Sequence, residues 1–167
     1  ATPRLTVPSA VVARAGGLYG PTTSNRIAIH PGSGSPGKNW PARKFVELAR
    51  RIEAGSGQAP FFIFGEADRA ERREIVGLLP RAGVIEGLDL ADLAAVLSLC
   101  RGYVGNDSGI THLAAAVGIP VIAIFGPTDP AIWGPRGQNV NVLRSSERTT
   151  EGLSAIEVGI PAAWMES

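Results

Sequence analysis

From residue 26 onward the chain alternates short, unbroken apolar runs with longer segments whose apolar positions recur every three to four residues. RIAIH (26–30), PFFIF (60–64), GVIEG (83–87), GYVGN (102–106), PVIAIFG (120–126) and NVNVL (139–143) have the length and the β-branched or aromatic content of strands. Between them, PARKFVELARRIEAG (41–55) places Phe45, Leu48, Ala49 and Ile52 on one helical stripe, with Pro41 in the first turn and Gly55 at the end. GEADRAERREIVGLL (65–79) is expected to turn Ile75, Leu78 and Leu79 inward, and DLADLAAVLSLC (89–100) to be capped by Asp89. In SGITHLAAAVG (108–118), Ser108 caps a helix whose buried face is Ile110, Leu113, Ala114 and Val117. Thr111 and His112 then fall in its first turn, off that face. A last helix is expected from about Ser154.

Continuous apolar strands separated by helices require a sheet covered on both faces. The expected fold class is therefore α/β: a Rossmann-like, three-layer α/β/α domain over residues 26–167, with a mainly parallel, doubly wound sheet of about six strands. Residues 1–25 carry Pro3, Pro8, Pro21 and a Gly16-Gly17 pair without a sustained period, and read as an interdomain connector or edge segment.

Composition narrows the function classes. With 167 residues, 44% hydrophobic and 19% charged, the chain suits one globular domain. A net charge of +1 provides no field to recruit nucleic acid or an anionic membrane, so an anionic ligand must be held by a local site. Cys100 is the only cysteine, which excludes an internal disulfide, and its apolar neighbours favour a buried thiol. No apolar run reaches the roughly 18 residues of a transmembrane segment, and the N-terminal stretch has no leader-like pattern, so the chain reads as soluble and unexported. The histidines are His30 and His112 alone, with no spaced Cys/His set, so neither a metal site nor a cofactor is expected.

In doubly wound sheets ligands bind beyond the carboxyl ends of the strands, where helix N-termini point unpaired N–H groups. The loop HPGSGSPGKNWP (30–41) combines glycines, Ser33, Ser35 and Lys38. Glycines such as Gly34 let backbone amides approach an anion, hydroxyls add donors and a lysine balances phosphate charge. It is neither a P-loop nor GxGxxG, and an ordinary strand-to-helix loop has the same composition. At 106–112, Ser108 and Gly109 open a helix whose positive end favours an anion, and a neutral His112 there is a donor to phosphate or sugar hydroxyls. Packing for His112 and a turn role for Asp107 are the plainer alternatives. Glu66 follows a strand where a carboxylate can accept from ribose hydroxyls, or simply suits a helix's first turn, and Leu88 lies where an apolar side chain can contact a base.

Together HPGSGSPGKNWP, FGEAD and GLDLADLAAVLSLCRGYVGNDSGITHLAAAVGIPVIAIFGPTDPAIWGP resemble the C-terminal half of the heptosyltransferases, glycosyltransferase family 9 of the GT-B superfamily, over about residues 26–145. The long ordered pattern NDSG-x-x-HLAAA-x-G-x-P followed by FGPTDP-x-x-WGP carries most of the specificity. The resemblance implies an ADP-heptose donor site for transfer to the inner core of lipopolysaccharide. On that pattern Ser33, Ser35 and Lys38 would hold the diphosphate from one side, and Ser108, Gly109 and the amides of their helix from the other. Glu66 would meet the ribose and Leu88 the adenine, while Asp107, Thr111 and His112 would face the sugar or diphosphate. The family's acceptor-binding half, which supplies the acidic general base, does not match any part of this sequence, so no catalytic residue is expected here and the lipid-linked saccharide acceptor would be met elsewhere. The expected location is cytoplasmic, or peripheral at the inner membrane of a Gram-negative bacterium. A UDP-sugar transferase or epimerase-like GT-B protein, and a non-catalytic nucleotide-binding or interaction module, are the competing readings.

Overall fold

The computed structural model describes every residue except 1, 3, 146, 156 and 167. The helices are α1 (Ser9–Thr23), α2 (Ala42–Ser56), α3 (Arg69–Leu78), α4 (Leu90–Ser98), α5 (Gly109–Val117), α6 (Pro130–Trp133) and α7 (Ala162–Met165). Strands β1 (Ile27–His30), β2 (Phe61–Phe64), β3 (Gly83–Glu86), β4 (Gly102–Asn106), β5 (Val121–Phe125) and β6 (Val140–Arg144) form one sheet in the order β3-β2-β1-β4-β5-β6. Every neighbouring pair is parallel.

Alternate residues of each strand enter opposite cores, as a two-residue side-chain period demands. Ile29, Phe62, Phe64, Val104 and Ile122 join the core built with Phe45, Leu48 and Ile52 of α2, Ile75 of α3 and Trp164 of α7. Ala28, Phe61, Ile63, Tyr103 and Phe125 join the core built with Ala15 of α1, Leu93 and Leu97 of α4 and Ala114 of α5. Fully buried rings such as Phe61, Phe62 and Phe125 each contribute roughly 1.5–3 kcal/mol of burial. The expected three-layer α/β architecture is the one observed.

Three expectations need correction, and one segment takes a form that the sequence left open. Residues 9–23, within the stretch read as a connector or edge segment, form a 15-residue helix with Pro21 in its last turn. Its period is faint because small and larger residues share the inner face: Ala15 is buried, a Cβ on Gly16 would sit 3.8 Å from Leu99 Cδ1, and Val11, Val12 and Tyr19 pack against the same core. Arg14 pairs with Asp92 across the same contact. Helix α2 runs past Gly55, which packs under Met165, and ends at Gly57, whose φ of 70° is the left-handed closure glycine allows. Leu78 is the last residue of α3 and is exposed, leaving Ile75 as that helix's buried anchor. No helix starts at Ser154. Ser154 and Glu157 exchange bonds across a single turn, and Gly159 and Pro161 stop its extension, so the terminal helix begins at Ala162.

The strand order reverses between β1 and β4: the chain moves outward through β2 and β3, then returns through α4 to pair β4 with β1. Pairing of His30 with Gly105 sets the loops after those two strands side by side. A crevice at this position is what the topology creates.

Candidate functional site

The loop after β1 is shaped from below by Asn106, the last residue of β4, which is fully buried. Its Nδ2 donates to the carbonyls of Pro31 (2.8 Å) and Gly32 (3.3 Å), and its Oδ1 accepts the Trp40 N–H at 2.9 Å. One side chain therefore ties down both ends of the glycine-rich loop. Trp40 is itself locked, with Nε1 donating to the Leu153 carbonyl and its ring edge-on to Phe45. Gly32 cannot be larger, because a Cβ there would lie 1.7 Å from Asp68 Oδ1, whereas Gly34 faces open space.

Within the loop, Ser33 Oγ donates to the Ser35 carbonyl at 2.6 Å and accepts the Ser35 N–H at 3.1 Å, so Ser33 chiefly shapes the turn. A 3₁₀ turn over Pro36–Lys38 then delivers Lys38 across the crevice. Its Nζ lies 3.2 Å from Asp107 Oδ2, which also accepts the Thr128 hydroxyl at 2.7 Å. The loops after β1, β4 and β5 thus meet in one cluster. Asp107 is largely covered while Lys38 remains about a third exposed, so the ammonium can be approached from solvent.

Helix α5 opens beside this cluster. Ser108 Oγ accepts the Thr111 N–H at a long 3.4 Å, and a Cβ at Gly109 would meet open space. Thr111 does not lie off the buried face as expected. It is completely buried, donates its hydroxyl proton to the Asn106 carbonyl at 2.6 Å, and sits 2.9 Å from the Tyr103 hydroxyl. The buried oxygen of Asn106 needs a donor, and the first turn of α5 supplies it by facing β4. Thr111 therefore orders the site rather than lining it. His112 is exposed, but its Nε2–H donates to the Trp133 carbonyl of α6 at 3.0 Å. A neutral imidazole so bonded offers Nδ1 as an acceptor, which reverses the donor role expected of it.

On the other side of α5, a cavity of about 290 Å³ opens at the carboxyl ends of β2 and β3. Gly65, Glu66, Gly87, Leu88, Leu93 and Ile110 line it, so Glu66 and Leu88 share one pocket. Gly87 makes the turn after β3 with φ of 73°, which lets Leu88 reverse over the slot. Ile110, in the first turn of α5, lines this apolar slot three residues after Asp107. Sequence reasoning did not single out Asn106, Thr128, Asp68 or His30. Buried His30 donates from Nε2 to Asp68 Oδ2 at 2.8 Å, joining the ends of β1 and β2. Burial opposes the charge on Asp68, but the bonds it accepts from His30 and the Gly65 N–H prevail and hold its carboxyl below the usual value.

The family profile described as "Glycosyltransferase family 9 (heptosyltransferase)" matches residues 9–156. Lipopolysaccharide heptosyltransferase 1 of Pseudomonas aeruginosa (strain PAO1) is 39% identical over 104 residues, covering 61% of this chain and 29% of that protein. Among solved structures, the family 9 glycosyltransferase of Veillonella parvula superposes with a TM-score of 0.81 at 24% identity, over 93% of this chain and 51% of that one. Escherichia coli heptosyltransferase WaaC with ADP gives 0.74 at 24% identity, over 92% and 44%. The two structural likenesses establish the fold, while the profile match spans most of the chain. The chain covers only about a third of the length of the curated relatives it matches. On the profile match and the motifs set around this crevice, the chain belongs to glycosyltransferase family 9, the heptosyltransferases.

Proposed function

We propose that this chain is the nucleotide-sugar-binding domain of a glycosyltransferase of lipopolysaccharide core assembly, with ADP-heptose as donor. The observation that carries the reading is that two unlike sites share the carboxyl end of one sheet. An apolar slot with Glu66 and Leu88 in its lining reaches Ile110 in the first turn of α5, and Asp107, paired with Lys38, stands three residues earlier in the chain. A nucleoside diphosphate has the same division: a flat base, a diol, then two phosphates. The slot would take the adenine, Glu66 would accept from ribose hydroxyls, and Lys38 with Ser35, Gly109 and the first-turn amides of α5 would hold the diphosphate. The ADP bound to the E. coli relative is consistent with that choice of base.

Displacement of a nucleoside diphosphate from an anomeric carbon builds negative charge on the leaving phosphate. Lys38 and the N-terminal end of α5 would stabilise that charge in this reading. An incoming diphosphate would draw Lys38 from Asp107, leaving that carboxylate to accept from sugar hydroxyls while Thr128 keeps it in place. Acceptor recognition and the general base belong, in this reading, to the part of the relatives that this chain does not match, and catalysis takes place at the cytoplasmic side of the membrane. Calorimetric titration tests the donor assignment: ADP should bind more tightly than UDP, and inorganic pyrophosphate should compete. Absence of binding by ADP, UDP and ADP-heptose alike would reject the donor site, whereas preference for UDP would reject adenine.

A further inference from the structure

Beneath the crevice runs a polar chain that the donor reading leaves unused. His30 is 3% exposed, with Nε2 2.8 Å from Asp68 Oδ2 and Nδ1 3.4 Å from Ser108 Oγ. Asp68 is fixed in turn by the Gly65 N–H at 2.7 Å and by its fit over Gly32. A carboxylate accepts only, so the bond at Nε2 places a proton there, and neutral His30 presents the Nδ1 lone pair to Ser108.

Ser108 has no tight inward partner. Besides Nδ1, its hydroxyl oxygen accepts the Thr111 N–H at 3.4 Å, neighbours the Tyr103 hydroxyl and has Thr111 Oγ1 at 3.2 Å, whose own proton is already committed to the Asn106 carbonyl. Against neutral His30 the Ser108 proton turns inward, and the oxygen lone pairs that face the crevice disfavour an anion. Against an imidazolium the polarity reverses: Nδ1–H donates into Ser108 Oγ, whose own proton is free to reach a phosphate oxygen. The same proton adds positive charge beneath the first turn of α5, where charge repulsion would otherwise discourage it in the absence of an anion. The other ionisable groups at this end are not called on for that proton. Tyr103, with its hydroxyl against Thr111, is kept neutral by burial; Asp107 keeps the Thr128 hydroxyl as a donor when Lys38 turns to the diphosphate; Glu66 is exposed on the far rim; His112 on α5 is bonded to Trp133.

We propose that His30, oriented by Asp68, is a proton-linked positioning residue: a diphosphate arriving at Ser108 draws one proton onto the buried imidazole, which converts the Ser108 hydroxyl from acceptor to donor. The proposal rests on the donor-site reading above. It makes nucleotide affinity depend on pH through a side chain that never touches the ligand.

Calorimetry of ADP binding in buffers of different ionisation enthalpy reads the proton directly. The wild-type chain should take up a proton on binding, and its affinity should fall about tenfold per pH unit between the pH where free His30 deprotonates and the pH where the complex does. His30→Gln should bind ADP with no uptake and a flat pH profile, while His112→Gln keeps the uptake. Imidazole ¹⁵N spectra of the wild-type chain give the same answer without a variant: His30 should carry one N–H free and two with ADP bound. ADP binding without uptake, uptake that survives His30→Gln, or a single His30 N–H in the complex would each overturn the proposal. If neither ADP nor pyrophosphate binds at all, the donor-site reading fails and this inference falls with it, a result distinct from binding without uptake.

Discussion

Replacing Asn106 tests whether one buried amide holds the glycine-rich loop after β1. In Asn106→Ala, the Trp40 N–H and the Pro31 carbonyl lose partners 2.9 and 2.8 Å away in a region closed to solvent. A stranded buried polar group costs about 1–3 kcal/mol, so the two together cost about 2–6 kcal/mol. For a chain of this length that lowers the melting temperature by roughly 4–24 °C. Asn106→Asp sharpens the test, because it keeps the acceptor for Trp40 but sets a second oxygen against the Pro31 and Gly32 carbonyls. A protonated carboxyl can still donate to Pro31, so the folded state holds that proton more tightly than the unfolded chain does. The folded-state value is raised, hence the extra penalty is absent below about pH 4 and grows by about 1.4 kcal/mol per pH unit above it until the folded carboxyl ionises. Urea unfolding of wild type, Asn106→Ala and Asn106→Asp at about pH 4.5 and about pH 7.5 measures both effects. The reasoning fails if Asn106→Ala lies within about 0.5 kcal/mol of wild type, or if the gap between Asn106→Asp and wild type is the same at both pH values. ADP affinity should fall in Asn106→Ala although Asn106 contacts no ligand in the proposed site, since Ser35 and Lys38 ride on the loop it anchors.

Lys38→Ala should weaken ADP binding by about 1–3 kcal/mol, read by calorimetry, with little change in melting temperature because its ion pair with Asp107 is partly solvated. Gly32→Ala should be strongly destabilising, since its methyl collides with the Asp68 carboxylate, while Gly34→Ala, which meets open space, should melt within a degree or two of wild type in the same assay. The Asp68 carboxyl is held below its ordinary value of 3.8, so its contribution to stability is present above that pH and is lost on acidification through the lower folded-state value; Asp68→Asn should flatten the acid limb of a stability–pH curve. Burial pushes the Cys100 thiol up to about 12, so iodoacetamide labelling near neutral pH should be negligible in the folded chain and should follow unfolding in urea.

The strands were legible because a sheet covered on both faces needs unbroken apolar runs, and FFIF and VIAIF have no other use. The meeting of Lys38 with Asp107 followed from strand ends converging at the reversal of order between β1 and β4, and that of Glu66 with Leu88 from the pairing of β2 with β3. Helix α1 was not legible because Val11, Val12 and Tyr19 share its inner face with small residues such as Ala15, and the Gly16-Gly17 pair and Pro21 interrupt the signal. Thr111 was misplaced because helical periodicity says which face is apolar, not whether a buried hydroxyl such as that of Tyr103 waits beneath it. The His30–Asp68 pair lies 38 residues apart in sequence, and neither residue type is expected to be buried unless its partner is known.

The reversal of strand order between β1 and β4 also partitions the crevice by inheritance. The slot draws mainly on Gly65 to Leu93, whereas the charged cluster draws on Lys38, Asp107 and Thr128. Ile110 is the only slot residue contributed by the second half of the sheet. On the donor reading proposed above, substitutions confined to the turns after β2 and β3 would retune which base is accepted and leave the grip on the phosphates intact. A fold wound outward in two directions from its centre would then let a lineage, or a protein engineer, exchange one donor for another by editing a single wing.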